Sequence, residues 1–502
     1  MDPTAVENLP LIDLSSIKDD DAKRKQSEAL GLRTEHDINS ASARSMIFKS
    51  ARDGRADALS CSLDNDPDGV NAEDSDKMSP LHYSARYGHV EAVSLLIDKG
   101  ADVKRRNYDG DTPLHLVAKY CKDNVSQEDL QKYSKIEETR AAKIINLLVE
   151  NGAEVDVKNN FGMSPLHFAA MKSNTVAIKK LLQKSADVNA LDVNKNTPLL
   201  LACIHGTVEV VEILLHSRCN VFSKDQLNNT VYHIAALRGD PELLELLLRK
   251  GGRGANSNGL ETKNHEGKTP LRMAVEGNHP ETLRVILKYE QQNSTKWHSR
   301  EEGLMHYVAG RGFLTILKEL VKAGGNQNEL DSMQRLPLHE AARYNQKESV
   351  EYLLEPSSIE VRDQQGRTPL AVATSQDGID AVLLDNGANV ETQDDEEATA
   401  IFIGAKYNAL KCVDYILNYI RNREASARDH NISLRNLTKI THAEEMVNRP
   451  DHNQMSPMHI VSVNGYIEMM RLLYNHGAVV NCINEDEETA LHLASSKGET
   501  LA

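Results

Sequence analysis

A short pattern of the form Thr/Ser-Pro-Leu-His returns through this chain at a nearly constant interval, and no other feature limits its possible folds more. It stands at Ser79-Pro80-Leu81-His82, Thr112-Pro113-Leu114-His115, Ser164-Pro165-Leu166-His167 and Thr197-Pro198-Leu199-Leu200. Eroded copies follow at Thr230-Val231-Tyr232-His233, Thr269-Pro270-Leu271-Arg272 and Gly303-Leu304-Met305-His306. The series ends with Leu336-Pro337-Leu338-His339, Thr368-Pro369-Leu370-Ala371, Thr399-Ala400-Ile401-Phe402, Ser456-Pro457-Met458-His459 and Thr489-Ala490-Leu491-His492. Successive intervals are 33, 52, 33, 33, 39, 34, 33, 32, 31, 57 and 33 residues. A period of this length marks small units that bury their apolar faces only by stacking on neighbours.

The residues within one copy say what it builds. Thr112 can cap a helix N-terminus through its hydroxyl, and Pro113 at the first helical position needs no amide partner. Leu114, Val117 and Ala118 fall on one helical face. His115 sits in the first turn, where its imidazole can bond back to Thr112 or across to a neighbouring loop. A second helix follows in each unit, as in the stretches 91–99 and 208–215. Gly88, Gly206 and Gly239 are expected to close the turn between the paired helices in a left-handed conformation. Gly100, Gly152 and Gly387 should end the second helix in the same way. The Ala-Asp-Val or Ala-Asn-Val after them leads into a projecting finger loop.

The rhythm fails in a few places. Residues 1–42 are polar and include Lys18-Asp19-Asp20-Asp21, so a disordered arm is expected there, ahead of an array over 43–502. Extra segments near 121–139, 251–261 and 422–448 stretch three intervals. The first should lengthen the turn between paired helices and the second should widen a finger. The third should be a loop with some helix. After Leu491-His492-Leu493-Ala494 the chain stops before any partner helix, so the last unit looks cut short.

Composition removes several function classes. Lys and Arg number 58 against 74 Asp and Glu, a net charge of −16. With no basic cluster and 4 % aromatics, nucleic acid is a poor partner. The six cysteines form no CxxC, which favours a reducing compartment. No signal peptide and no run of 18 apolar residues is present, so the chain reads as soluble and cytoplasmic. Gly267-Lys268-Thr269 lacks the upstream glycine of a phosphate loop, with Thr262 in its place, and Arg343 stands where a zinc helix starting at His339-Glu340 needs its second histidine. Asp64, Asp66 and Asp68 before Gly69 open like a calcium loop, but Ser75 holds the place of the bidentate glutamate. A solvated acidic finger is the preferred reading there. The recurring His82, His115, His167, His233, His339 and His459 are read as structural. No catalytic residue, cofactor site or metal site emerges, and the chain carries no visible enzyme.

The recurring signature, exemplified by Thr112, Pro113, Leu114 and His115, identifies residues 43–502 as resembling ankyrin repeat proteins. That resemblance implies an all-α solenoid of about thirteen helix-turn-helix units with β-turn fingers. A narrower resemblance rests on Gly366-Arg367-Thr368-Pro369-Leu370-Ala371-Val372-Ala373-Thr374, on Asp385-Asn386-Gly387-Ala388-Asn389-Val390, and on the insertion between Thr399 and Ser456. These look like the mid-array segment of the ankyrin-rich A subfamily of transient receptor potential channels. The resemblance implies the N-terminal cytoplasmic part of a tetrameric non-selective cation channel. Membrane contact would then come only through a part outside this chain, and protein partners would bind the fingers and the concave face. A soluble ankyrin scaffold or adaptor is the alternative.

Overall fold

The structure is a computed structural model. It describes residues 35–123, 139–251, 259–292, 297, 301–378, 381–429 and 443–498. The chain divides into two compact units, Met1–Cys219 and Asn220–Ala502. Among the described residues the regular elements are helices, joined by single β-bridges at Gln393–Thr399 and Ile483–Thr489.

In the N-terminal unit the helices come in pairs. Glu35–Asp53 pairs with Ala56–Asn65, Pro80–Tyr87 with Val90–Asp98, and Pro113–Tyr120 with Arg140–Glu150. Pro165–Met171 with Thr175–Gln183 and Pro198–His205 with Val208–Leu215 complete it. Each first helix packs on its own partner, and successive first helices from Glu35–Asp53 to Pro198–His205 pack on one another. The signature explains the starts: Ser79 accepts the His82 amide, Thr197 accepts that of Leu200, and a proline occupies the first turn. Leu81, Leu114, Leu166 and Leu199 are fully buried between repeats, as are Ile144, Ile145 and Leu148 of a second helix.

The C-terminal unit repeats the plan from Val231–Arg238 with Pro241–Gly251 onward to Ala490–Lys497. First helices again stack, as Leu304–Arg311 on Pro337–Arg343 and Ala400–Lys406 on Pro457–Val463. Side chains also bridge Pro270–Glu276 and Leu304–Arg311: Thr269 donates to the buried Glu301 carboxylate, and Arg272 lies 5.7 Å from the Tyr307 ring centre.

Several sequence expectations need amendment. Gly88 and Gly239 are left-handed as expected, with φ of 76° and 66°, but Gly206 is extended at φ −86° and ψ −177°. Its side of the turn is crowded instead, because a Cβ there would meet the Ala202 carbonyl oxygen at 2.7 Å. The helix Glu35–Asp53 starts within the polar arm, whose residues 1–34 lie outside the described residues. The first insertion does fall between paired helices, Pro113–Tyr120 and Arg140–Glu150, with 124–138 outside the described residues. Residues 252–258 of the second lie outside them as well. The third begins as helix: the 20-residue helix Leu410–Asp429 covers residues 422–429 of it, and Ala443–Asn448 follows residues 430–442, which are not among those described.

Candidate functional site

Sequence reasoning offered the histidine two partners, and the structure gives it both. The main-chain N–H of Ser79 donates to His82 Nδ1 at 3.0 Å, and the far nitrogen, Nε2, meets the Asp111 carbonyl of the next repeat at 3.1 Å. An amide can only donate, so Nδ1 is the acceptor and Nε2 carries the proton. The same pair of bonds recurs at His115, from Thr112 to Met163, and at His167, from Ser164 to Asn196. In the C-terminal unit His233 links Thr230 to Lys268, His339 links Leu336 to Val361, and His459 links Ser456 to Cys482. A second proton on the ring would break the Nδ1 bond and bury a charge. Burial accordingly lowers His82, His115 and His339 from 6.5 to about 4, and lowers His167 and His233 in the same direction. The six imidazoles sew repeats together, and the five lowered by burial are poor proton carriers near neutrality.

The fingers have an organiser that the sequence reading missed. Five residues before the first residue of every signature except that at Gly303 stands Asp or Asn: Asp74, Asn107, Asn159, Asp192, Asp225, Asn264, Asp331, Asp363, Asp394, Asp451 and Asn484. In Asp192 the carboxylate oxygen accepts the amides of Asn194 at 2.8 Å and Asn196 at 2.7 Å. Asp363 accepts those of Gln365 and Arg367, both at 2.9 Å. This is the Asx turn, a side chain standing in for a backbone partner. Three residues further on the chain is left-handed, at Gly110, Gly162 and Gly366 but also at Lys195 and Glu397. Only the fixed offset from the signature could have revealed the brace, because Asp and Asn are frequent everywhere in the chain.

Adjacent finger tips bond through their backbones. In the N-terminal unit Tyr108 N–H donates to Asp76, Asn160 to Asp109 and Val193 to Phe161, at 2.9, 3.0 and 3.1 Å. In the C-terminal unit Gln364 donates to Met333, Asp395 to Gln365 and His452 to Glu396, at 2.9, 3.1 and 2.9 Å. The tips present exposed Tyr108, Phe161 and Val193. Neighbouring fingers in each unit are thus tied edge to edge through their backbones.

The near-calcium segment is taken apart by its neighbours. Lys99 Nζ lies 2.8 Å from Asp64, Arg44 Nε lies 3.2 Å from Asp66, and Asp68 sits in the short 3-10 turn Pro67–Asn71. The structure does not bring the three carboxylates to one point, and among the described residues no cluster of three His, Cys, Asp or Glu is placed to hold a metal ion. Glu396 at an acidic tip pairs with Lys406 at 3.3 Å. Burial pushes the Cys121 and Cys219 thiols up to about 11, leaving little thiolate near neutral pH.

The transient receptor potential cation channel subfamily A member 1 homolog of Caenorhabditis elegans is 47 % identical over 487 residues, which is 94 % of this chain and 40 % of that protein. Subfamily A member 1 of Drosophila melanogaster is 26 % identical over 223 residues, 43 % of this chain and 17 % of the fly protein. The chain thus spans less than half the length of these relatives. Among solved structures, the crystal structure of the human ASB11 ankyrin repeat domain aligns with 49 % of this chain and 97 % of that one, at a TM-score of 0.40 and 25 % identity. The family profile for ankyrin repeats in three copies matches residues 33–129, 136–225, 216–297, 291–363 and 424–502, and the single-repeat profile matches 109–160. The chain belongs to the ankyrin repeat family.

Proposed function

We propose that this chain is the cytoplasmic ankyrin region of a cation channel subunit of the transient receptor potential A type. In this reading it binds protein partners and passes conformational change or force to the rest of a tetrameric channel. The observation that carries the reading is 47 % identity running over 94 % of the chain to the worm relative. A stack held by nearest-neighbour contacts is elastic and offers a long binding surface, so both roles suit the fold. No described helix is long and apolar enough to cross a membrane. A pore would therefore be supplied by another part of the subunit. No catalytic role is assigned to any residue of the array.

The test is to follow the coding sequence of this chain to its end and to record from cells expressing the complete polypeptide. Six apolar spans in the same reading frame, together with a cation current altered by His115→Ala and His167→Ala in the array, are expected. A reading frame without apolar spans overturns the channel reading in favour of an ankyrin scaffold.

A further inference from the structure

Four Asn–Gly pairs occur in this chain, at Asn151, Asn258, Asn386 and Asn464, and Asn258 lies outside the described residues. The other three close helices: Asn151 follows Arg140–Glu150, Asn386 follows Ala381–Asp385, and Asn464 follows Pro457–Val463. Each glycine is left-handed, with φ of 95° at Gly152, 92° at Gly387 and 69° at Gly465. The fold needs that glycine, but it does not need the asparagine before it. Lys99–Gly100, Ala323–Gly324 and His476–Gly477 end other helices with the same pattern of main-chain bonds. Asparagine there adds a chemical property, because the nitrogen of a following glycine can attack its side-chain carbon with no Cβ in the way.

In the folded chain both reacting groups are held. The side-chain amide donates to the carbonyl four residues back, from Asn151 to Leu147 and from Asn386 to Val382 at 2.8 Å, and from Asn464 to Ile460 at 3.0 Å. The glycine N–H donates three residues back, from Gly152 to Val149 at 3.1 Å, Gly387 to Leu384 at 3.0 Å and Gly465 to Ser462 at 3.3 Å. The next residue completes each helix end, Ala153 on Leu148, Ala388 on Leu383 and Tyr466 on Val461, each at 2.9 Å. Ring closure needs the carboxamide to turn towards a glycine nitrogen that gives up its proton, so all three bonds oppose it. The asparagines are exposed, and water reaches the site as soon as the helix end frays.

We propose that Asn151, Asn386 and Asn464 are guarded deamidation sites, closed while their repeat is intact and converted when its helix end opens. In the opened segment the glycine nitrogen bonds to the asparagine Cγ. The Cγ–Nδ2 bond breaks, and ammonia leaves as the glycine nitrogen loses its proton. Water, the one co-reactant, then opens the cyclic imide at either carbonyl and leaves aspartate or isoaspartate. Either product loses the donor to the carbonyl four residues back and places a negative charge at a helix C-terminus, where the dipole opposes it. Isoaspartate also lengthens the main chain by a methylene, which moves the glycine N–H off its acceptor. A repeat that has opened is therefore marked covalently and stays loosened. The proposal does not depend on the channel reading.

The test incubates the whole chain at mildly alkaline pH, folded and in guanidinium chloride, and quantifies Asn, Asp and isoAsp peptides by mass spectrometry against synthetic standards. Conversion at the three sites is expected to be about tenfold or more slower in the folded chain, because it tracks the open population. Leu148→Ala weakens the helix ahead of Asn151, where Leu148 is fully buried and its carbonyl accepts from Ala153. That variant should speed conversion at Asn151 about tenfold or more while Asn464 keeps the parent rate. Circular dichroism melting establishes that the variant folds, and Leu148→Val, a smaller truncation, takes its place if it does not. The proposal is overturned if the folded and denatured chains convert at equal rates, or if the three sites stay unmodified in denaturant. It is equally overturned if a folded Leu148 variant leaves Asn151 at the parent rate.

Discussion

Residues 79–196 and residues 368–410 are built on one repeat yet join neighbouring repeats by opposite chemistry. In the first region His82, His115 and His167 each span two repeats with two backbone hydrogen bonds. In the second, the same position holds Ala371 and Phe402, which pack into an apolar cluster with Ala398 and Ile403, flanked by Met455 and Ile460. Phe402 is among the largest fully buried side chains of the protein. The seam between repeats accepts a polar group with both its partners, or no polar group at all. His306 shows the cost of mixing the two. Gly303 is left-handed at φ 70° where Leu336, likewise without a hydroxyl, is extended and donates its N–H to His339, and His306 Nδ1 is buried without a hydrogen-bond partner although Nε2 reaches Arg335 at 2.7 Å.

Acid should break the comparison most forcefully. A histidine held near 4 when folded and near 6.5 when unfolded contributes stability that is complete above 6.5 and is lost as pH falls towards 4. The full shift corresponds to roughly 3 kcal/mol for each of His82 and His115. Residues 368–410 contain no histidine. Asp111 and Asp394, one beside each seam, are both pushed up by burial and respond with the opposite sign, so they tend to cancel between the regions. Amide exchange read by mass spectrometry at pH 7 and pH 4.5, corrected for intrinsic rates, should show protection falling in 79–196 well before 368–410. Equal losses would mean that the imidazoles are not what holds the first region.

Phe402→Ala tests the apolar side. Removing a fully buried phenyl ring should cost about 3–5 kcal/mol, part of it from the cavity left between repeats. Urea unfolding should show the loss, and it should be the same at pH 7 and pH 5. Phe402→His places a smaller, polar ring after the Thr399 cap and leaves part of the phenyl volume empty, so it should rescue little. Recovery of most of the stability by histidine would erase the distinction between the two seams.

What the sequence made legible follows the same division. The signature, helix starts and buried leucines could be read because each is set by residues adjacent in the chain. The imidazole bridge was legible only as a choice between two partners, since its second bond goes to Asp111 from His82, 29 residues away. The Asx brace at Asp192 and its counterparts was written in the sequence at a constant offset but hidden by the abundance of Asp and Asn. The contact of the Lys119 ammonium with the Phe168 ring, 4.9 Å from its centre, was not legible, because it spans an insertion whose effect on register no local rule supplies. Nor was the start of Glu35–Asp53, where Glu35-His36-Asp37 give no apolar period. That helix gains its stability by packing on Pro80–Tyr87.

His306→Leu probes the mixed seam. Leucine removes an unsatisfied buried nitrogen worth about 1–3 kcal/mol and gives up one hydrogen bond worth about 1 kcal/mol. A net change between zero and about 2 kcal/mol of stabilisation is expected, measured by urea unfolding. The same substitution at His115, where both nitrogens are bonded, should destabilise. A loss at His306 as large as at His115 would show that the Nδ1 bond missing at Gly303 is not what sets the value of the bridge.

The smallest effect asks whether the fingers feel how their seam is filled. Lys195 and Glu397 both take the left-handed position of their finger, at φ 60° for each, where Gly162 and Gly366 stand in other repeats. Glycine relieves about 1 kcal/mol of backbone strain and gives back about 0.5 kcal/mol through the unfolded chain. Lys195→Gly and Glu397→Gly should therefore each stabilise by roughly 0.5 kcal/mol, detectable as a small rise in thermal midpoint. The two sites differ in one respect. Lys195 precedes Asn196, whose carbonyl accepts the His167 bridge, whereas no signature histidine reaches the finger of Glu397, where the His452 ring of the next finger lies 3.1 Å from the Glu396 carbonyl. Equal gains would show that finger and seam are independent. A smaller gain at Lys195 would show that loosening the finger also loosens the carbonyl on which the bridge lands, coupling the finger edge to the joint between repeats.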